Sequence, residues 1–396
     1  MVCSEPRKSK LLIVFCVVKG FKNFWAVGNV FNSAILRRIM NKFDKYLEFV
    51  REIKPSDKVV LCFDQDGDGI PATVLMLKAF QRLKINNVHW VPFIRNDRMH
   101  VAEEILAWNP THVIFLDVAA EIYDALMGKL VSKKVMVIDH HETHKSFEGV
   151  TVLKPQNIGF EESNQYCTAK LVYDYMSNLV DLEDVSWITA VGIISDMGQR
   201  TWTEFLRAVF EKHNFDMKED WYETVPGKIA QIMNSATSVN PMRSDEAIAL
   251  LLNSLPKEIL RSPLADLNSD INAEISKWMK EPIESFHEGL LNIQVIDNPS
   301  YSVGGVVSNK RSTAEREKAF IVITVFGDKL KVSARSQEFK VPMNDLLKKS
   351  VEEFDNANAG GHDPASGASL PRENLDEFKK NLVKFFGELL QLNSTS

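Results

Sequence analysis

Three carboxylates on alternate residues, Asp64-Gln-Asp-Gly-Asp-Gly69, follow directly on the apolar run Val59-Val-Leu-Cys-Phe63. Such a run predicts a buried strand, and Gly67 and Gly69 let the chain turn out of it. The acidic residues then gather at the carboxyl end of a strand, where open α/β sheets place their ligand sites. Carboxylates this close repel one another unless a cation neutralises them, so the pattern points to a metal site. The same string opens an EF-hand calcium loop, but that loop needs a bidentate Glu at its twelfth position and a helix before it. Here the twelfth position is Leu75 and the preceding segment reads as a strand.

Along the chain, strands are expected at Val59–Phe63, Val88–Phe93, His112–Leu116 and Val135–Ile138, with helices at Ala72–Leu83, Val101–Trp108 and Glu121–Leu130. Strands alternating with helices predict βα units and a parallel sheet. A mainly helical stretch follows, with Thr168 as an N-cap and Leu182–Met197 as a long apolar helix. The pattern changes near Ile293. Leu291–Ile296, Val303–Val307, Phe320–Phe326 and Leu330–Ala334 read as strands, Gly327-Asp328 as a hairpin turn, Met343–Phe354 and Leu375–Leu389 as helices flanking a glycine-rich loop.

The expected fold class is α/β: a parallel-sheet catalytic domain joined by a helical connector to a smaller α+β C-terminal domain. The boundaries read as 1–39 for an N-terminal extension, 40–240 for the catalytic domain, 241–290 for the connector and 291–396 for the second domain. Residues 1–39 show no clear period, whereas an amphipathic helix begins at Met40, so Met40 reads as the physiological start and the first segment as a mis-assigned extension.

The chain has 396 residues, long enough for two domains with separate cores. Its four cysteines, Cys3, Cys16, Cys62 and Cys167, have no paired spacing, which argues against a disulfide framework or structural zinc and fits a reducing cytoplasm. A net charge of −6 argues against a protein that coats nucleic acid non-specifically, though not against a local basic cleft. No apolar run is long enough to cross a membrane, and Leu11–Val18 imitates a signal peptide only faintly.

Further candidate ligands fall at other element ends. Val113-Ile-Phe-Leu-Asp117 closes a strand in a carboxylate, Val135-Met-Val-Ile-Asp-His-His141 closes another in Asp139-His140-His141, and Gly192-Ile-Ile-Ser-Asp196 ends an apolar helix in one. Each alone is weak, because Asp closes many elements for capping reasons. Together they offer oxygen and imidazole donors, a mixture suited to Mn²⁺ or Mg²⁺ rather than to thiolate-seeking metals.

In this order the segments resemble the DHH phosphoesterase family. Gly360-Gly-His-Asp-Pro-Ala-Ser-Gly367 is similar to the glycine-rich motif of the DHH-associated C-terminal domain, and Ser333-Ala-Arg-Ser336 to the strand motif before it. The form of the first motif looks most like the RecJ-like and nanoRNase-like exonuclease branch. The resemblance implies two-metal phosphodiester hydrolysis, with two Mn²⁺ per site (or Mg²⁺) about 3.5–4 Å apart. It makes Asp66 a ligand of one metal and Asp68 of the other, Asp117 a bridge, His140 and Asp196 further ligands, and Asp64 a ligand or neighbour. Asp139, His140 and His141 become the catalytic group, with Asp139 orienting a histidine and His141 facing the scissile phosphate. His141, Arg335, Gly360, Gly361 and His362 become the substrate contacts. One departure is Cys62, where many family members carry a histidine.

The implied activity is exonucleolytic release of nucleoside 5′-monophosphates from single-stranded DNA or short RNA. The alternatives are a phosphatase or diesterase for small nucleotides, such as 3′-phosphoadenosine phosphate or a cyclic dinucleotide, and a catalytically silent RecJ-like replication scaffold. The expected partner is single-stranded nucleic acid or a short oligonucleotide, with a replication factor and a homodimer left open and no membrane. The basic run Lys310, Arg311, Arg316 and Lys318 would either track a polynucleotide or form a solvated loop.

Overall fold

The computed structural model describes residues 33–143, 145–160, 165–239, 243–338 and 341–394. Cys3, Cys16 and Leu11–Val18 lie outside the described residues. The described chain divides into two compact units, one reaching from its start to Thr237 and resuming as far as Arg261, the other taking up Ser262 onward. No helix among the described residues is long and apolar enough to cross a membrane.

The first unit alternates α1 (Ser33–Arg51), β1 (Val59–Phe63), α2 (Gly69–Arg82), β2 (Val88–Pro92), α3 (Arg98–Ala107), β3 (His112–Leu116), α4 (Asp124–Lys129), β4 (Lys134–Ile138) and β5 (Val150–Leu153). It continues with α5 (Thr168–Met176), α6 (Ser186–Ser195), α7 (Thr203–His213), α8 (Val225–Val239), α9 (Ser244–Asn253) and the single turn α10 (Pro256–Ile259). The five strands are all parallel, in the order β2-β1-β3-β4-β5. Every residue of β1 and β3 is buried, as interior strands covered on both faces must be. On one face Val60, Cys62, Val113, Phe115, Val135 and Val137 pack against Val101 and Ile105 of α3 and Leu126 and Met127 of α4. The strand order reverses direction between β1 and β3, and such a switch point opens a crevice at the strands' carboxyl ends.

The second unit contains α11 (Pro263–Lys280), β6 (Glu284–Phe286), β7 (Leu291–Asp297), α12 (Gly304–Ala314), β8 (Ala319–Phe326), β9 (Lys329–Ser336), α13 (Met343–Val351), β10 (Asn358–His362), β11 (Ala365–Pro371) and α14 (Leu375–Ser394). Its sheet runs β10-β11-β9-β8-β7-β6, antiparallel except where α12 carries the chain over from β7 to the parallel β8. Leu330, Val332 and Ala334 of β9 face the core with Met343, Leu346 and Phe378 of α13 and α14. The alternate residues Lys331, Ser333 and Arg335 take the opposite face.

Several expectations need correction. Val303–Val307 is not a strand but the start of α12: Val303 and Val307 are buried one helical turn apart, and a Cβ on Gly304 would lie 2.4 Å from Thr324 Oγ1, so the helix rests directly on β8. The glycine-rich loop is a hairpin, β10 and β11. Thr168 is the first helical residue of α5, after Cys167, rather than its cap. The apolar helix expected from Leu182 begins at Ser186, after a 3₁₀ turn at Glu183–Val185. Glu121–Leu130 splits into a 3₁₀ turn, Ala120–Ile122, and α4. The helix expected to begin at Met40 is already formed at Ser33, where the described residues begin.

Candidate metal centre

The site is assembled by strand register. Phe63, Leu116, Ile138 and Leu153 lie side by side at the ends of β1, β3, β4 and β5. The next residue of each of the first three strands still bonds to its neighbour: Asp64 N–H donates to Leu116 O, Asp117 N–H to Ile138 O and Asp139 N–H to Leu153 O, at 3.0–3.2 Å. Three aspartates therefore stand in a row on the carboxyl edge. Asp117 turns there with φ +62°, a left-handed conformation that Asp tolerates better than most residues.

Two overlapping groups of ligand atoms result, the atoms in each all within 4.8 Å of one another: Asp68, His140 and Asp196, and Asp117, His140 and His141. His140 Nε2 lies 3.4 Å from Asp117 Oδ1 and 3.5 Å from Asp196 Oδ2. Asp68 is 1% exposed and Asp117 2%. Burial pushes both carboxyls well above the usual carboxylate range, and mutual repulsion adds to it, from Asp196 and Asp66 on Asp68 and chiefly from Asp68 and Asp66 on Asp117. Burial also raises Asp196, against the opposing pull of His140. The His140 ring is held below its ordinary value by burial, which favours the neutral imidazole that a metal needs. Among the described residues no Lys or Arg pairs with Asp68, Asp117 or Asp196. Two buried carboxylates, Asp68 and Asp117, with the partly exposed Asp196 and the neutral imidazole of His140, fit a divalent cation with oxygen and nitrogen preference.

Neighbouring elements pin this set. Asp68 Oδ2 accepts from Thr168 N–H at 2.6 Å and Oδ1 from Ala169 N–H at 2.9 Å, so Asp68 caps α5 from a distant part of the chain. Thr168 Oγ1 donates to Asp117 Oδ1 at 2.8 Å. Asn234 Oδ1 accepts from Gly67 N–H at 2.7 Å while its Nδ2 donates to Ser195 Oγ at 3.0 Å, which ties the acidic loop to the end of α6.

Not every expected ligand joins the groups. Asp66 Oδ1 accepts the N–H groups of Asp68 and Gly69 at 3.0 and 2.9 Å and so caps α2. Asp64 Oδ1 accepts from Gln65 N–H at 2.8 Å, and its Oδ2 lies 3.5 Å from the Arg95 guanidinium. Both shape the loop. Asp139 is fully buried and stands behind His141, whose Nδ1 is 2.7 Å from Asp139 Oδ1. Burial pushes the Asp139 carboxyl up, but the bond from His141 and the charge of Lys154 outweigh it and hold the group below the usual range. The same hydrogen bond raises His141, whose side chain stays 48% exposed. Cys62 points into the apolar core, and burial pushes its thiol up, so it offers no ligand.

In the second unit, Ala365 pairs with both His362 and Arg335, which places those two side chains in one cross-strand row on one face. Gly360 is open, with nothing within 4 Å of an added Cβ. Gly361 has φ +141°, and a Cβ there would lie 2.6 Å from Ala365 O, so only glycine fits. Half of the basic run is engaged internally: Arg311 donates to the carbonyls of Trp278, Met279 and Glu281 at the end of α11, and Lys318 pairs with Glu315.

The sequence alone does not mark Thr168, Asn234, Glu121 or Lys154 as site residues. Only Thr168 carries any signal there, as a helix-start residue.

Residues 58–193 match the DHH family, N-terminal domain, and residues 292–388 the DHHA1 domain. Over 365 residues the chain is 23% identical to the single-stranded-DNA-specific exonuclease RecJ of Bacillus subtilis (strain 168), an alignment that covers 83% of this chain and 46% of RecJ. The structure of RecJ in complex with Mn²⁺ from Thermus thermophilus superposes with a TM-score of 0.60 at 17% identity, over 89% of this chain and 55% of that one. Cdc45 from Entamoeba histolytica gives 0.59 at 11% identity, over 90% and 98%. The chain spans about half the length of these RecJ proteins. At such identities the likeness to the two solved structures is one of fold.

Proposed function

Because the chain belongs to the DHH family and is RecJ-like, we propose that it is a metal-dependent phosphodiesterase, an exonuclease releasing nucleoside 5′-monophosphates from single-stranded DNA or short RNA. The observation that carries this reading is the placement of His140 Nε2 within 3.5 Å of carboxylate oxygens from two different elements, Asp117 and Asp196. Divalent cations, Mn²⁺ or Mg²⁺, would lower the pKa of the attacking water and neutralise charge developing on the phosphate.

The chain's own residues do the rest. Asp68, Asp117, His140 and Asp196 would hold the cations, and Asp66 reinforces the loop from which Asp68 projects. Asp139 Oδ1 accepts from His141 Nδ1 at 2.7 Å and so orients the ring. The part of that ring left exposed to solvent can donate to a phosphate oxygen. Arg335 and His362, with the open backbone at Gly360, supply phosphate contacts on the second unit.

Product analysis with Mn²⁺ on end-labelled single-stranded DNA and RNA of several lengths, beside 3′-phosphoadenosine phosphate and a cyclic dinucleotide, tests the reading. Mononucleotide 5′-phosphates released stepwise from one end are expected. Turnover of the small nucleotides alone would move the assignment to a small-nucleotide diesterase, and Mn²⁺ binding with no hydrolysis at all would favour a silent scaffold.

A further inference from the structure

We infer that Lys154 is a positioning residue for the Asp139–His141 pair, an assignment that rests on the catalytic role proposed above for His141. Lys154 follows β5, and its side chain is only 6% exposed. Its ammonium lies 2.8 Å from Asp139 Oδ2, 2.7 Å from Glu121 Oε1, 2.7 Å from His141 O and 2.8 Å from Thr143 Oγ1. Three of those acceptors belong to the short turn from Asp139 to Thr143, which carries both histidines of the site.

An ammonium has three protons, so four acceptors at this distance saturate it. Asp139 is thereby gripped at both oxygens, by Lys154 on one and His141 on the other, and its carboxylate cannot rotate without breaking a buried charged contact. The bond from Lys154 to His141 O fixes the backbone of the same residue whose ring Asp139 aims. Glu121 is fully buried; its Oε1 meets Lys154 and Thr143, and its Oε2 has no partner among the described residues. Glu121 thus serves to hold the ammonium, and Lys154 transmits that anchorage to His141.

The test uses the full chain as Lys154→Met, Lys154→Arg and the double variant Lys154→Met/Glu121→Gln, which removes both buried charges together and guards against unfolding. The downfield imidazole N–H resonance of ¹⁵N-labelled protein, assigned to His141 by its loss in His141→Gln, reports the Asp139 bond without turnover. In the double variant that resonance should vanish while Mn²⁺ affinity stays within threefold. On the DNA substrate kcat should fall about 100-fold with KM within about threefold, the scale of a small misplacement of a reacting group. Lys154→Arg should recover about tenfold of the loss, since it restores charge and donors. A double variant that keeps the resonance, or that keeps kcat within threefold of the parent, overturns the assignment. If the parent protein hydrolyses nothing, the proposed function fails, and the resonance still decides the role of Lys154.

Discussion

Asp68 Oδ2 accepts the backbone N–H of Thr168 at 2.6 Å, so one carboxylate both faces the candidate metal centre and caps the helix α5. The acidic loop and the helical layer are therefore coupled through a group whose charge the fold makes costly.

That cost sets a pH dependence. Asp68 and Asp117 have folded-state pKa values raised above their ordinary 3.8, first by burial and then by neighbouring carboxylates. A raised pKa favours folding in the protonated state, so this contribution is complete below the unfolded value and is lost as pH rises through the folded one. Metal-free protein should melt at progressively lower temperature as pH climbs from the ordinary carboxylate range toward neutrality. Saturating Mn²⁺ should abolish or reverse the trend. Thermal melts across pH with EDTA and with Mn²⁺ read this directly; a metal-free melting temperature that rises with pH would contradict it.

Substitution of His140 and of Asp139 should separate metal holding from proton control. His140→Ala removes the atom shared by both ligand groups and should lower Mn²⁺ affinity and hydrolysis together. Asp139→Asn should bind Mn²⁺ nearly normally yet lose about 100-fold or more in kcat, because His141 loses its anionic acceptor. Calorimetric Mn²⁺ titration beside steady-state kinetics distinguishes the two, and equal Mn²⁺ losses in both variants would place Asp139 among the ligands.

Gly192→Ala tests how closely α6 must approach. An added Cβ would lie 2.4 Å from Ala169 Cβ and 2.8 Å from Asp68 Oδ1. The expected cost is about 1–3 kcal/mol of stability from overpacking, together with weaker metal binding as Asp68 is displaced. Ala169→Gly in the same chain should recover part of both losses, a coupling that a double-mutant cycle in urea would detect. Full additivity would show that the two sites relax independently.

The sheet that carries the site was readable because β1, β3 and β4 are apolar runs closed by aspartate, and burial on both faces leaves no room for polar alternation. β5 was not, since Val150–Leu153 is short and mostly half-buried, and nothing around it marks a strand. Val303–Val307 misled through its β-branched residues, where the spacing of Val303 and Val307 and the contact of Gly304 with Thr324 belong to a helix. Within the acidic loop, spacing could not tell Asp68 from Asp64 and Asp66. Alternate residues share a face only in an extended strand, and this segment turns, which sends Asp68 inward and leaves its neighbours on backbone N–H groups. Lys154 was invisible because a single lysine names no partners; its four acceptors are brought together only by the chain's path.

The row formed by Arg335 and His362 should act on substrate capture. Arg335→Ala or His362→Ala should raise KM for an oligonucleotide about 10-fold or more, the scale of a lost charge-assisted hydrogen bond to phosphate, while Mn²⁺ affinity stays unchanged. An unchanged KM in both variants would remove the second unit's face from the binding reading.

Asn234 offers the sharpest test of how the ligand loop is held. Its carbonyl oxygen takes the N–H of Gly67, between Asp66 and Asp68, and its amide nitrogen reaches Ser195, the residue before Asp196. Asn234→Ala would leave the Gly67 N–H without an acceptor and uncouple two elements that each carry a ligand. A donor left unpaired in this way costs about 1–3 kcal/mol. Loss of a group that orients ligands typically weakens metal binding about 10–100-fold. Asn234→Asp keeps an acceptor for Gly67 but turns a donor toward Ser195 into a second acceptor, and it adds negative charge near Asp68 and Asp196. It should retain the Gly67 bond and bind Mn²⁺ better than Asn234→Ala. Urea unfolding without metal and Mn²⁺ titration of both variants settle it: parental affinity in Asn234→Ala would mean that the loop keeps its shape without this bridge.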